Sequence, residues 1–153
     1  MSEESLLAGI KEAHSDHIES ATVLQPRCIS VVAKMDGFVE VADSLKTKFG
    51  FTQPVACGGV DYPGEQRIQM IYYAVNPEHK IMLTLRVNLP RDGPKMPTLT
   101  SVWGAMDFHE REAYEMFGIE FEGHTNMIPF LLPPDWKGGH PLRKDFKGEG
   151  VTQ

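Results

Sequence analysis

Residues 108–119 read FHEREAYEMFGI, and the chain then runs through glycines, prolines and aromatic residues to HPLRKDF at 140–146. The first part has the charge density of a helix, whereas residues 119–146 show the period of neither a helix nor a strand. A segment of this length without regular structure is uncommon in a compact domain unless it binds something or is disordered. Its large apolar side chains are unlike those of a disordered tail. The sequence therefore predicts a C-terminal arm that lies on another protein, and we expect the arm to be loose in the isolated chain.

The composition narrows the class of protein. With 153 residues, 41% of them hydrophobic and 24% charged, the chain is expected to form an ordinary soluble globular protein. The net charge of −6 argues against a nucleic-acid or anionic-membrane surface, and no apolar run approaches the roughly 20 residues that span a bilayer. The N-terminus lacks the basic start of a signal peptide, so we expect a cytoplasmic location. Cys28 and Cys57 stand alone in apolar surroundings and are expected to be buried free thiols.

The periodicity before residue 108 predicts an α+β fold. The order is helix, strand, helix and three further strands, which gives a small mixed or antiparallel four-stranded sheet with flanking helices. Residues 91–97 contain prolines and a glycine and are expected to be a linker. We expect residues 1–117 to form the globular domain and residues 118–153 to form the long irregular arm. The helices are expected near residues 3–17 and 38–49, and the strands near residues 28–33, 54–60, 67–75 and 81–89.

Glu110 falls on the apolar stripe of the predicted helix, with Trp103 and Phe117 among its neighbours. A carboxylate in such a position needs a cation or several hydrogen-bond donors. Arginine is the better cation, because its planar guanidinium can hold both carboxylate oxygens. Two interpretations stay open: an ion pair, or a capping box in which Asp107 starts the helix and Glu110 is partly wet. The candidate cations, of which Arg143 is favoured, are Arg67, Arg86, Arg143 and Lys144.

The sequence offers little that could form a catalytic centre. Residues 109–110 begin a zincin-type metalloprotease motif, but Ala113 stands where the second histidine belongs. The other charges of the helix are expected to form a solvated face, on which Arg111 pairs with Asp107 and Glu115. The sequence has neither a cysteine cluster nor a dinucleotide fingerprint, so we expect no redox centre. Any other metal site would have to draw on His109, Glu112, Glu115, His124 and His140.

The block at 110–124, the segment LLPPDW at 131–136 and the segment at 140–146 strongly resemble the C-subunit (30 kDa subunit) family of complex I. Asp61-Tyr62-Pro63 with Arg67, and the residues before the helix, also look like that family. Related chains occur in F420H2 dehydrogenases and in membrane-bound NiFe hydrogenases. One departure is that Ile128-Pro129 replaces a pair of arginines usual after the Gly-His segment. A charged contact with the neighbouring subunit is therefore expected to be missing or relocated.

The resemblance implies a non-catalytic structural and assembly subunit of a complex I-like, ion-pumping oxidoreductase. Such a subunit would brace the quinone-site large subunit on the cytoplasmic side of the membrane, in a complex that passes electrons from NADH, F420H2 or ferredoxin to a quinone-type acceptor. It would bind no cofactor itself, and iron–sulfur clusters would lie in partner subunits. The residues that the resemblance marks for structural or partner contacts are Glu110, Arg111, Glu112, His124, Trp136, His140, Arg143, Lys144 and Asp145.

Two alternatives accompany this interpretation. One is the equivalent subunit of a membrane-bound NiFe hydrogenase. The other is a free-standing metal-dependent enzyme that would use His109, Glu110, Glu112 and His124 as its site.

Overall fold

Residues 1–148 of the chain are described by a computed structural model as helices and strands in the order α1, β1, β2, α2, β3, β4, β5, β6, α3, β7, with a short 3-10 turn between β3 and β4. Residues 149–153, which belong to the predicted arm, lie outside the described residues. The helices are α1 (Glu3–Ala13), α2 (Phe38–Thr47) and α3 (Met106–Phe117). The strands are β1 (Ile18–Gln25), β2 (Cys28–Ala33), β3 (Gln53–Tyr62), β4 (Arg67–Asn76), β5 (Ile81–Pro90), β6 (Lys95–Pro97) and β7 (Glu120–Glu122).

The main sheet is mixed and has five strands in the order β1-β2-β5-β4-β3. Strands β2 and β5 are parallel, and the other neighbours are antiparallel. A second sheet consists of β6 and β7, which pair in parallel. The α+β class is therefore confirmed, but the prediction of four strands is wrong.

The strand of the main sheet that the sequence did not predict is β1, which lies at the edge of the sheet. Its side chains are mostly exposed, and Ala21 alone in the strand is buried. A strand that exposes both faces lacks the apolar alternation from which strands are recognised. The three-residue strands β6 and β7 fall in the predicted linker and at the start of the predicted arm, and they are too short to show any period. The irregular part of the chain therefore begins at Gly123.

One face of the main sheet forms the hydrophobic core with the helices. From β5 the core takes alternate residues, of which Leu83 and Leu85 are fully buried, and from β4 it takes residues such as Met70 and Tyr72. Helices α1 and α2 lie over this face, and the ring of Phe38 on α2 packs 6.0 Å from that of Tyr72. Each fully buried side chain of this size contributes about 1.5–3 kcal/mol of transfer free energy. The opposite face of the sheet contributes nothing to this core.

Helix α3 packs against β3 at the other edge of the sheet. Gly59 on β3 makes this possible, because a Cβ there would lie 3.1 Å from the ring of Phe117. Residues 123–148, which we call the C-terminal segment, form neither helix nor strand and return along α3. None of the helices within residues 1–148 is long and apolar enough to cross a membrane.

Candidate functional site

A buried carboxylate lies in the second turn of α3. Glu110 has 0% of its surface exposed. Its Oε1 accepts hydrogen bonds from the Tyr72 hydroxyl and the Leu99 backbone N–H, each at 2.8 Å, and its Oε2 accepts one from the Thr98 hydroxyl. Burial raises the pKa of Glu110, and the three hydrogen bonds oppose that rise. The expected burial of this carboxylate is confirmed, and neutral donors satisfy it instead of a cation.

Both interpretations of Glu110 from the sequence are wrong. Helix α3 begins at Met106 after Ala105, and no side chain caps it, so no capping box forms. The favoured cation, Arg143, instead donates its Nε hydrogen to the Phe117 carbonyl at 2.7 Å. The actual donors lie 38, 12 and 11 residues before Glu110. Neutral donors at such separations leave no charge or periodicity signal in a sequence.

The ring of His124 ties the start of the C-terminal segment to α3. The ring is fully buried. Its Nδ1 accepts a hydrogen bond from the Asn126 backbone N–H at 3.1 Å, so in the neutral ring the proton sits on Nε2. This Nε2 lies 3.3 Å from the carbonyl oxygen of Asp107 and 4.0 Å from Oε2 of Glu110. His124 and Glu110 thus belong to one buried polar cluster.

Glu115 holds the backbone of the C-terminal segment. Its carboxylate accepts hydrogen bonds from three successive backbone N–H groups, those of Phe130 at 2.9 Å, Leu131 at 3.0 Å and Leu132 at 3.3 Å. Hydrogen bonds to an ionised acceptor are stronger than those between neutral groups. These contacts leave Glu115 only 5% exposed. They also argue against the expectation that this part of the segment is loose in the isolated chain.

Arg111 holds the same stretch from the neighbouring turn of α3. Its Nε donates to the Ile128 carbonyl at 2.9 Å, and its guanidinium lies 4.7 Å from the ring centroid of Phe130. The expected pairing with Asp107 is present at 3.7 Å. The expectation of a solvated face is wrong, because Arg111 is 6% exposed. The charged side chains of Arg111 and Glu115 on this face hydrogen-bond to the backbone of the C-terminal segment, which covers them.

An ion pair fastens the far end of the segment to the sheet. Two nitrogens of Arg91 donate to the two carboxylate oxygens of Asp61 at 2.8 and 2.9 Å. The Lys144 backbone N–H donates to the same carboxylate at 2.8 Å, and Asp145 lies 3.1 Å from Arg91. The hydrogen bonds from Arg91 hold the pKa of Asp61 below its usual value, because they stabilise the charged form.

His140 and Trp136 make further side-chain hydrogen bonds of the segment, the first to α3 and the second within the segment. The Nδ1 of His140 lies 3.0 Å from the carbonyl oxygen of Glu115. The ring of His140 also occupies the space beside Gly118, where a Cβ would lie 2.5 Å from Nε2, and Gly118 has a φ of +76°. A larger residue at this turn would therefore displace the segment. Trp136 donates its indole N–H to the Gly139 carbonyl at 2.8 Å.

The C-terminal segment directs apolar side chains away from its own domain. Its backbone is bonded to α3, whereas Ile128 is 56% exposed and Leu131 is 50% exposed. The ring of Phe130 packs 6.1 Å from that of Phe108, and both remain exposed. An open groove of about 580 Å³, lined by Tyr114 and Pro129 among others, lies between α3 and the segment. We give the name apolar docking surface to the exposed large apolar side chains of α3 and the segment, which are Phe108, Tyr114, Ile128, Phe130, Leu131 and Leu142.

A comparison with the models of known protein families places the chain in one of them. The family model of the respiratory-chain NADH dehydrogenase 30 kDa subunit matches residues 31–152. The chain belongs to this family. The resemblance seen in the sequence is thereby confirmed, and the chain is a C-type subunit like that of complex I.

Individual members of the 30 kDa-subunit family align over most of the chain. The C-type subunit of the F(420)H(2) dehydrogenase from Methanosarcina mazei is 35% identical over 145 residues, which are 95% of this chain and 89% of that protein. The C-type subunit of the NADH-quinone oxidoreductase from Moorella thermoacetica is 37% identical over 118 residues, which are 77% of this chain and 79% of that protein. A chain of the membrane-bound sulfane sulfur reductase, an archaeal respiratory membrane complex, superposes with a TM-score of 0.85. That chain is 26% identical, and the superposition covers 94% of this chain and 85% of that chain.

Within this family framework, Asp61 and Arg91 are the site residues that the sequence did not reveal as a pair. They lie 30 residues apart, on β3 and just after β5, so no spacing rule connects them. The only signal was that Asp61-Tyr62-Pro63 looked like the family. The sequence did mark Lys144 and Asp145, which the structure brings to this pair.

The residues proposed for a metal site are only partly brought together. Glu110 and His124 approach to 4.0 Å, and Glu112 is partly exposed on α3. Among residues 1–148, no three His, Cys, Asp or Glu side chains are grouped so that they could hold a metal ion. Cys28 and Cys57 are buried free thiols, as expected, and burial raises the pKa of Cys57. The absence of a bound cofactor stays a prediction.

Proposed function

We propose that the chain is a non-catalytic structural subunit on the cytoplasmic side of a membrane-bound, ion-translocating oxidoreductase. Its C-terminal segment would brace the large, quinone-site subunit of that complex. One observation carries the proposal: at residues 128–132 the backbone is bonded to α3, while the side chains of Ile128, Phe130 and Leu131 stand in solvent. Because the backbone is fixed and these apolar side chains are exposed, the segment presents an ordered surface to which a partner can bind.

The segment is already ordered in the free chain, which lowers the entropy cost of binding a partner. Holding a segment without regular structure in one conformation costs about 1–2 kcal/mol per residue in backbone entropy. Here the charged side chains of Arg111 and Glu115 order the segment before any partner arrives. A partner then gains the burial of the apolar docking surface without that cost, which is the benefit of a preorganised interface.

The different complexes in which relatives occur support a role apart from electron-donor chemistry. One relative is named for F(420)H(2) and another for NADH and quinone, and the similar solved chain belongs to a sulfane sulfur reductase. A fold common to complexes with such different names is suited to a task that they share. We therefore assign electron transfer to iron–sulfur clusters in partner subunits. The donor to this complex would be NADH, F420H2 or ferredoxin, and the acceptor would be of the quinone type.

A matched pair of substitutions tests the proposed function. Leu131 and Leu24 are both 50% exposed, but only Leu131 belongs to the apolar docking surface. We expect Leu131→Asp to reduce the amount of the remaining subunits that co-purify with the tagged chain by about tenfold or more, because a carboxylate would have to be buried against the partner. Leu24→Asp should leave co-purification unchanged.

Circular dichroism of both isolated variants controls for folding, since neither leucine belongs to the core. Equal co-purification of the two variants with their partners would contradict the proposed use of the C-terminal segment. Cross-linking of the unmodified complex identifies the subunit that lies against residue 131.

A further inference from the structure

The second face of the main sheet is left open by the helices. It is formed by the residues that alternate with the core positions, so that Arg86 stands between the buried Leu85 and Val87 in the central strand β5. Arg86 is flanked in register by Val32 of β2 and Ile71 of β4. We call this surface the open sheet face.

A hydrogen-bonded chain of polar side chains crosses the open sheet face. Arg67 Nη1 donates to Asn88 Oδ1 at 2.7 Å, and Gln69 Nε2 donates to the same oxygen at 3.1 Å. Gln69 Oε1 in turn accepts a hydrogen bond from Arg86 Nη1 at 3.3 Å. Arg67 also pairs with Glu65 at the rim of the sheet. Both arginines were candidate partners for Glu110, and the register of the sheet places them on the face away from it.

The chain of hydrogen bonds leaves Arg86 without a counter-ion among the described residues. Strands β2, β4 and β5 contain no aspartate or glutamate. Arg86 is partly exposed, its Nε is buried, and no hydrogen-bond partner for that nitrogen is present within residues 1–148. Because Arg86 is partly exposed and has no counter-ion within residues 1–148, its guanidinium is available for an ion pair with a carboxylate of another chain.

The charge of this face is opposite to that of the whole chain. The chain carries a net charge of −6, yet the centre of the open sheet face presents Arg86, with Arg67 nearer the rim. Val32 and Ile71 flank Arg86 on the neighbouring strands, and a Cβ at Gly58 on the next strand would meet nothing within 4 Å. A surface with one unpaired guanidinium at its centre suits a protein segment that carries an acidic side chain.

We propose that the open sheet face docks an acidic segment of another subunit, whose carboxylate pairs with Arg86. This is an interface separate from the apolar docking surface, which lies on α3 and the C-terminal segment. It rests on the proposed function only in that the chain works inside an assembly of subunits.

Arginine modification tests the proposal in the intact complex. Phenylglyoxal is applied to the free full chain and to the purified complex, and the rate of modification at each arginine is read by mass spectrometry. We expect modification of Arg86 to slow several-fold in the complex, whereas Arg27, on the turn between β1 and β2, should keep its rate. Equal rates at Arg86 in a complex that retains the chain would overturn this inference and leave the proposed function standing. If no complex retains the chain, both this inference and the proposed function are contradicted.

A photo-reactive residue at Met82 identifies the occupant. Met82 is 38% exposed and lies on the same strand and face as Arg86. The expected cross-linked peptide belongs to another subunit and contains aspartate or glutamate. A peptide without an acidic residue, or quenching by water alone, would overturn the proposal.

Substitutions at Arg86 test the charge itself. Arg86→Lys should keep most of the co-purification, and Arg86→Glu should reduce it by about tenfold or more. Thermal unfolding of the isolated variants shows whether they fold. If Arg86→Glu does not fold, Arg86→Gln takes its place, because a glutamine can still hydrogen-bond to Gln69. Equal co-purification of Arg86→Lys and the charge-removing variant would contradict the pairing.

Discussion

The carboxylate of Glu110 is buried among apolar side chains. Three neutral hydrogen-bond donors offset the free-energy cost of burying it. The Tyr72 hydroxyl, the Thr98 hydroxyl and the Leu99 backbone N–H meet it from the sheet and from the loop before α3. The carboxylate therefore links α3 to the sheet and to the loop before the helix. Its value to the fold lies in accepting those hydrogen bonds, and the oxygen of an amide of the same shape could keep the two that Oε1 accepts.

This distinction separates two substitutions at residue 110. Glu110→Ala should lower the free energy of unfolding by about 2–4 kcal/mol, since it leaves the Leu99 N–H unsatisfied and opens a cavity. Glu110→Gln should change it by less than about 1 kcal/mol, because the amide keeps the shape and one acceptor oxygen. Urea unfolding at neutral pH measures both, and Glu112→Ala on the partly exposed side of α3 is the control. A large loss from Glu110→Gln would show that the charge is required.

The raised pKa of Glu110 also predicts a dependence on pH. Between the ordinary glutamate pKa and the raised native one, the native state holds a proton that the unfolded state has released. The free energy of unfolding should therefore fall as pH rises through that window. Glu110→Gln should remove this fall, so the wild-type and variant curves should converge at acidic pH and separate towards neutral pH. Parallel curves would contradict the assignment.

At the scale of elements, α3 and the C-terminal segment behave as one unit. Three residues of α3 reach the segment at successive points, with Asp107 near His124, Arg111 at Ile128 and Glu115 at Phe130. They follow one another at four-residue steps along the helix, so they share one face. The segment forms neither helix nor strand, and side chains of α3 supply hydrogen-bond partners for its backbone at residues 128–132.

Glu115→Gln should loosen this unit without unfolding the domain. An ionised acceptor contributes about 1.5–3 kcal/mol per hydrogen bond, and about 1.4 kcal/mol corresponds to a factor of about ten in an equilibrium. Amide exchange at residues 130–132 should therefore quicken by about tenfold or more, while amides of β4 and β5 keep their rates. Hydrogen exchange with mass spectrometry measures this, with Glu112→Gln as the matched control. Unchanged exchange at 130–132 would mean that the carboxylate does not hold the segment.

The elements that the sequence predicted correctly are those whose burial repeats with a regular period. Strand β5 alternates between core and open face along its length and was recognised from that alternation. Strand β1 is exposed on both faces, and β6 and β7 are three residues long, so none of them offers a period to read. The burial of Glu110 could be read from the helical stripe. Its donors, and the backbone that Glu115 accepts, come from irregular parts of the chain and could not.

At the scale of the whole molecule, the structure is a two-layer domain with two surfaces that its own core does not use. One is the apolar docking surface on α3 and the C-terminal segment, and the other is the open sheet face around Arg86. The charged residues of α3, together with Asp61 and Arg91, hold the first surface in place. The relatives of this chain are subunits of larger complexes, and under the proposed function both surfaces would face neighbouring subunits.

Hydroxyl-radical footprinting of the chain, free and within its purified complex, tests the central claim that the C-terminal segment is held ready to lie on a partner. Mass spectrometry reads the oxidation of Leu131 in both states, and Leu24, equally exposed in the free chain, is the internal reference. We expect oxidation of Leu131 to fall several-fold in the complex while that of Leu24 stays the same. If Leu131 is oxidised as fast in the complex as in the free chain, its side chain faces solvent in both, and the claim is wrong.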